Sequence, residues 1–142
     1  MGVIGRVCRL SALLIKEQTR VLAEHGLDFA GFDVLATLRR SGPPHALTPT
    51  QLAKAMLVTP SAVAQRLARL EDAGLLVRAQ AQFDRRVIIV TLTDKGQELI
   101  DAVLPAHLAN EQSLLADFSS EDRQVFESLL RRFLMAQDDL PI

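Results

Sequence analysis

Residues 59–93 read TPSAVAQRLARLEDAGLLVRAQAQFDRRVIIVTLT, and this stretch decides the fold. Thr59 is a good helix N-cap, and Pro60 suits the first helical position, where a missing N–H costs nothing. Val63, Leu67 and Leu70 recur at i, i+4 and i+7, which makes one helix face apolar. Gly74 ends the helix, as a left-handed residue past its C-terminus does. Leu75-Leu76-Val77 and Val87-Ile88-Ile89-Val90 then flank a polar loop ending in Asp84-Arg85-Arg86, which predicts a two-stranded hairpin with a basic tip. A short helix followed by such a hairpin is the shape with which a winged helix-turn-helix meets double-stranded DNA.

Working outward, Thr48-Pro49-Thr50-Gln51 reads as a capping box, with Thr48 as N-cap and Gln51 reaching back. The turn Leu57-Val58-Thr59 joins that helix to the next at helix-turn-helix spacing. Val3, Val7, Leu10 and Leu14 form an apolar stripe in a first helix over roughly residues 2–25, and 29–40 is a second. Thr93 caps a long helix running to about residue 117, which Pro105 is expected to kink. Ser119-x-x-Asp122 opens a last helix with Val125, Leu129, Leu130, Phe133 and Leu134 on one side. The fold class expected is mainly α with a small β wing. Residues 1–142 form one domain, with a DNA-binding lobe at 29–95 and dimerisation helices at 1–28 and 96–142. The terminal stripes need covering, and a homodimer is the simplest cover.

The chain has 142 residues and a formal net charge of −1, which at first argues against a nucleic-acid partner. The distribution reverses that reading. Residues 52–95 hold seven basic and four acidic groups, whereas residues 96–142 hold three basic and nine acidic ones. A basic reading head with the acid exported to the C-terminal helices fits phosphate binding. The single cysteine excludes an internal disulfide framework and suits a reducing cytosol. No apolar run reaches the ~20 residues of a membrane span, and the N-terminal one is too short for a secretory core. The expected location is cytoplasmic.

At about 100° per residue, with Val63 at zero, Ser61, Gln65 and Ala68 fall opposite the buried line and Ala64 and Arg69 flank them. Together with Pro60 and Ala62 at the helix start, Ser61, Ala64, Gln65 and Arg69 are expected in the major groove. Gln65 can pair bidentately with adenine, and Arg69 can reach guanine or phosphate. Arg85 and Arg86, positioned by Asp84, are expected at the minor groove. Arg66 lies only about 60° from Val63 and so points inward, where a cation needs an anionic partner. Asp33 and Arg40, seven residues apart, share one face of the second helix about 10 Å apart.

Leu47-Thr48-Pro49-x-x-Leu52-Ala53, Leu70-Glu71-x-Ala73-Gly74-Leu75, and Asp84-x-Arg86 followed by Leu92-Thr93-x-x-Gly96 resemble the MarR family of dimeric winged-helix regulators. The resemblance covers nearly the whole chain. It implies a homodimer with intertwined terminal helices, acting as a transcriptional regulator, usually a repressor, whose DNA binding a small ligand or an oxidant weakens. His25-Gly26-Leu27, Gly31-Phe32-Asp33, Thr37-Leu38-Arg39-Arg40-Ser41 and Leu104-Pro105-Ala106-His107-Leu108-Ala109 are similar to its urate-responsive, PecS-like branch. That likeness implies a ligand and relay role for Asp33, Arg40 and Arg66, with Arg78 as a further member of the cluster, and a small anionic or phenolic effector. Two departures stand out: the chain has no tryptophan, which that branch carries in an additional N-terminal helix, and its wing reads Ala79-Gln80-Ala81-Gln82-Phe83.

Cys8 sits beside Val7 on the apolar stripe, which favours a buried structural thiol over a redox sensor. His25, His45 and His107 share no ligand spacing with it, so no metal is expected, nor any cofactor. Nothing matches a phosphate loop, nucleophile elbow or metalloprotease helix, so an enzyme is not expected. Two alternatives to a ligand-responsive regulator stay open: a winged-helix protein–protein adaptor, and a regulator switched through Cys8.

Overall fold

The computed structural model describes residues 2–137. In chain order these form α1 (Val3–Ala23), α2 (Phe29–Arg40), β1 (Ala46–Leu47), α3 (Pro49–Met56), α4 (Pro60–Asp72), β2 (Leu76–Gln80), β3 (Ile88–Leu92), α5 (Asp94–Leu114) and α6 (Ser120–Met135). The fold is mainly helical with a small antiparallel sheet, a winged helix-turn-helix.

The helix starts follow the local chemistry of the sequence. Thr48, Thr59, Thr93 and Ser119 each accept a hydrogen bond from a backbone N–H in the first turn of their helix, and Thr48 and Gln51 complete the capping box. Each satisfies a donor that the helix itself cannot pair. Gly74 adopts a left-handed φ of 75° after α4, which lets the chain reverse into β2. Pro105 lies inside α5 without ending it.

β2 and β3 pair antiparallel, with Leu76 opposite Leu92 and Gln80 opposite Ile88. Both strands run further than the apolar runs at 75–77 and 87–90 imply, because backbone pairing carries on through Arg78-Ala79-Gln80. A third strand, β1, pairs with β3, giving the order β1-β3-β2. The start of α5 is pressed against the head of β2. A Cβ on Gly96 would collide with the Leu75 carbonyl oxygen, so only glycine fits there. Thr93 Oγ1 donates to the Gly74 carbonyl at 2.7 Å and accepts from the Gly96 N–H at 3.0 Å, while Lys95 Nζ donates to the Ala73 carbonyl at 2.8 Å.

One core joins the helices to the sheet. Leu22, Leu35, Leu38, Leu52, Val63, Leu67, Leu76, Val90, Ile100 and Val103 are essentially inaccessible to solvent. The first half of α1 and the length of α6 stand apart from it. Val3, Ile4, Leu13 and Ile15 of α1 are exposed, as are Val125, Leu129, Phe133 and Leu134 of α6, a helix that buries none of its residues. Cys8, expected to be buried, is exposed. The reason is that the stripe it belongs to has no partner within the chain over the first half of α1. No helix among the described residues is long and apolar enough to cross a membrane.

Candidate nucleic-acid interface

The helical angles translate directly into burial on α4. Val63, Leu67 and Leu70 are buried, whereas Pro60, Ser61, Ala64, Gln65 and Arg69 are exposed and Ala62 and Ala68 half-buried. Thr59, the cap, also lies 3.2 Å from the Ser61 hydroxyl, which orders the first turn. The exposed row offers an amide, a guanidinium and a hydroxyl separated by methyl groups. Such a row can read donors, acceptors and thymine methyls on a major-groove floor.

Two ion pairs fasten α4 to α2, one behind that row and one made by Arg69 of the row itself. Arg66 Nη1 lies 3.3 Å from Asp33 Oδ2, with only 18% and 25% of the two side chains exposed. The same guanidinium nitrogen lies 3.9 Å from Met56 Sδ on α3. Burial pushes the Asp33 carboxyl above its ordinary value of 3.8, against the opposing pull of Arg66 and Arg40 and the Arg66 hydrogen bond. The second pair joins Arg69 to Asp28 at 3.3 Å and is more exposed. Asp28 was missed in the sequence, although an acidic residue just before the second helix is a capping signal. Its other oxygen accepts from the Gly31 N–H at 2.7 Å, so one carboxylate both caps α2 and holds α4. Gly31, Arg66, Arg69 and Leu70 line a cleft of about 290 Å³ between these helices.

Arg40 is exposed and contacts the pair only indirectly. Its Nη2 donates to Thr37 Oγ1 at 3.2 Å, and Thr37 Oγ1 donates to the Asp33 carbonyl at 2.6 Å. Arg78 does not join this cluster. It grips Glu71 through Nη2 at 3.0 Å and Nε at 3.3 Å, and its backbone N–H donates to the same carboxylate at 2.9 Å. The hydrogen bonds from Arg78 hold Glu71 below the usual carboxylate range, and the pair ties the end of α4 to β2. Arg66 and Glu71 leave α4 some 140° apart, which is why Arg78 and Asp33 occupy different sides of that helix.

At the wing, Asp84 Oδ1 accepts from the Arg86 N–H at 3.0 Å and from Arg86 Nε at 3.2 Å. These bonds hold the Asp84 carboxyl below its ordinary value. Arg86 remains 92% exposed, and Arg85 makes no ion pair among the described residues. The tip therefore presents one guanidinium tethered to Asp84 and one without an ion pair among the described residues, and Phe83 of the same loop is fully exposed. His107 is buried against Phe32 with its Nε2 2.9 Å from Glu111 Oε1, and no cluster of metal-ligating side chains occurs among the described residues.

Residues 25–87, from just before α2 through the helix-turn-helix to the end of the wing loop, match the model of the MarR family. The chain is 40% identical over 132 residues to the HTH-type transcriptional regulator PecS of Dickeya dadantii, spanning 93% of this chain and 80% of that protein. BpsR of Bordetella bronchiseptica, whose DNA binding is regulated by 6-hydroxynicotinic acid, superimposes with a TM-score of 0.85 at 26% identity, over 93% of this chain and 92% of that one. Sco3205 of Streptomyces coelicolor, a MarR family regulator solved in complex with DNA, gives a TM-score of 0.87 at 25% identity, over 98% of this chain and 86% of that one.

Proposed function

We propose that this chain, which belongs to the MarR family of DNA-binding transcriptional regulators, is a repressor that binds an inverted-repeat operator as a homodimer and is released by a small anionic or phenolic effector. The observation that carries this reading is the double tether behind the recognition helix. The residues offered to the groove, Gln65 and Arg69, share α4 with Arg66, and Arg66 and Arg69 are both held by carboxylates of α2. An anion entering beside these arginines competes with Asp33 and Asp28 for them. The tethers then slacken and α4 shifts against its groove.

The related regulators support the effector class. Regulation of BpsR by an aromatic carboxylate matches what a cleft bounded by two guanidinium groups would select. Arg40 is the entry point in this reading, because it is exposed and bonds through Thr37 to the backbone of Asp33. Only a difference in affinity between the DNA-bound and DNA-free forms can drive release, and a tenfold loss of DNA binding needs about 1.4 kcal/mol of coupling.

A mobility-shift titration with DNA from upstream of the protein's own gene tests the reading, with urate, hydroxynicotinate and salicylate as probes. Release by at least one anion is expected, with Arg40→Ala binding DNA normally but no longer responding. A complex indifferent to the whole panel, or an Arg40→Ala variant that responds as the native chain does, would reduce the relay to a structural salt bridge.

A further inference from the structure

We propose that Phe83 is an apolar wedge that the wing inserts at the minor groove, giving the protein a preference for easily unstacked base steps that its polar contacts do not supply. The proposal rests on the DNA-binding reading above and deepens it.

The chain has six phenylalanines and neither tryptophan nor tyrosine. Phe83 is 100% exposed, while no other phenylalanine is more than 45% exposed. A lone exposed aliphatic side chain is ordinary, but a ring with no protein contact forgoes all the stabilisation that burial gives it. Its place in the wing is also specific. Gln80 and Ile88 are the last β2–β3 pair, and the Ala81 N–H donates to the Val87 carbonyl at 2.8 Å, so Gln82 to Arg86 project beyond the closed hairpin.

Within that projecting loop the ring is followed in sequence by Asp84 and two arginines. Asp84 accepts from the Arg86 side chain and from its backbone N–H, while Arg85 makes no ion pair among the described residues. The Asp84 carboxylate is thus paired by its own arginine, and Phe83 is fully exposed in the same loop. Cations beside an apolar ring on a narrow tip suit a duplex: the guanidinium meets the negative potential of the minor groove, and the ring enters a base step. Pyrimidine–purine steps unstack most readily, so they are where a wedge costs least.

The test begins with duplexes selected from a random-sequence pool by the native protein, then compares Phe83→Ala, Phe83→Leu and Arg85→Ala on them. Phe83→Ala is expected to weaken binding about tenfold, since a dimer inserts two rings. Its salt dependence should stay native, because a neutral side chain releases no counterion, whereas Arg85→Ala should flatten the slope. 2-Aminopurine at the wing-facing step should brighten with the native protein and with Phe83→Leu, but not with Phe83→Ala. Selection repeated with Phe83→Ala should lose the pyrimidine–purine preference at that step. Native affinity, fluorescence and preference in Phe83→Ala would overturn the wedge while leaving the DNA-binding reading intact. A change in self-association with unaltered DNA binding would also overturn it, by assigning the ring to a protein surface. If the native protein enriches no sequence at all, the DNA-binding reading fails first and the wedge with it.

Discussion

Asp33 of α2 and Arg66 of α4 meet at 3.3 Å across an interface that leaves at most a quarter of either side chain exposed. Burial is the larger influence on the carboxyl and raises its folded-state pKa above the ordinary 3.8. Folding therefore favours the protonated acid. The contribution of Asp33 to stability is fully present below its unfolded pKa and is lost as pH rises through the folded value. Asp33→Asn removes that titration, so its stability relative to the native chain should climb as pH rises from about 4 toward neutrality. Urea midpoints across that range measure the difference, and a constant gap would mean that Arg66 offsets the burial completely. Arg66→Ala, which leaves the carboxylate without its partner, should cost about 1–3 kcal/mol at neutral pH, part of it recovered when Asp33→Asn is added.

The exposed stripes on α1 and α6 lead to a second expectation. Leu129 and Phe133 are each nearly half exposed, and burying such side chains stabilises by roughly 1.5–3 kcal/mol apiece. Sedimentation at micromolar concentration should find a dimer, and Leu129→Lys combined with Phe133→Lys should give a monomer. A native chain that sediments as a stable monomer would leave both stripes unexplained.

The wing arginines should differ in their effects. Arg85 has no ion pair among the described residues, so Arg85→Ala should flatten the dependence of DNA binding on salt. Arg86 is held by Asp84, and its loss should both remove a cation and loosen the turn. The double replacement should weaken binding and flatten the slope most, measured by fluorescence anisotropy at several salt concentrations. An unchanged slope would take the wing out of the interface.

Gly96→Ala should be the most damaging small substitution in the chain. The added methyl meets a backbone carbonyl, which cannot swing aside as a side chain can. A loss of about 3 kcal/mol or more is expected, at the upper end of overpacking costs. Thermal unfolding measures it, and a native-like midpoint would show that α5 can slide on β2.

How far the fold was legible follows from where its causes lie. The four N-caps and the Gly74 turn rest on chemistry within three or four residues, and each stands where the sequence puts it. The inward direction of Arg66 needed only the helical repeat. β1 is two residues long and carries no periodicity, so its pairing with β3 had no local signature. The Arg69–Asp28 and Arg78–Glu71 pairs were missed because each depends on how two elements pack. Cys8 was expected to be buried because it lies beside an apolar stripe, and it is exposed, because periodicity marks a stripe without saying what covers it.

The weld between Gly96 and Leu75 has a mechanical meaning. α5 has 21 residues, so it is a rod about 30 Å long whose near end is locked to the turn that closes the recognition helix. Thr93 and Lys95 also bond to that turn from α5. The rod and the reading helix thus form one lever. A tilt of only about 5° about that joint displaces the far end of α5 by nearly 3 Å. Run in reverse, in the homodimer proposed above, small rearrangements far from the DNA would reset the distance between two reading heads, and the spacing they can bridge would become the quantity under control.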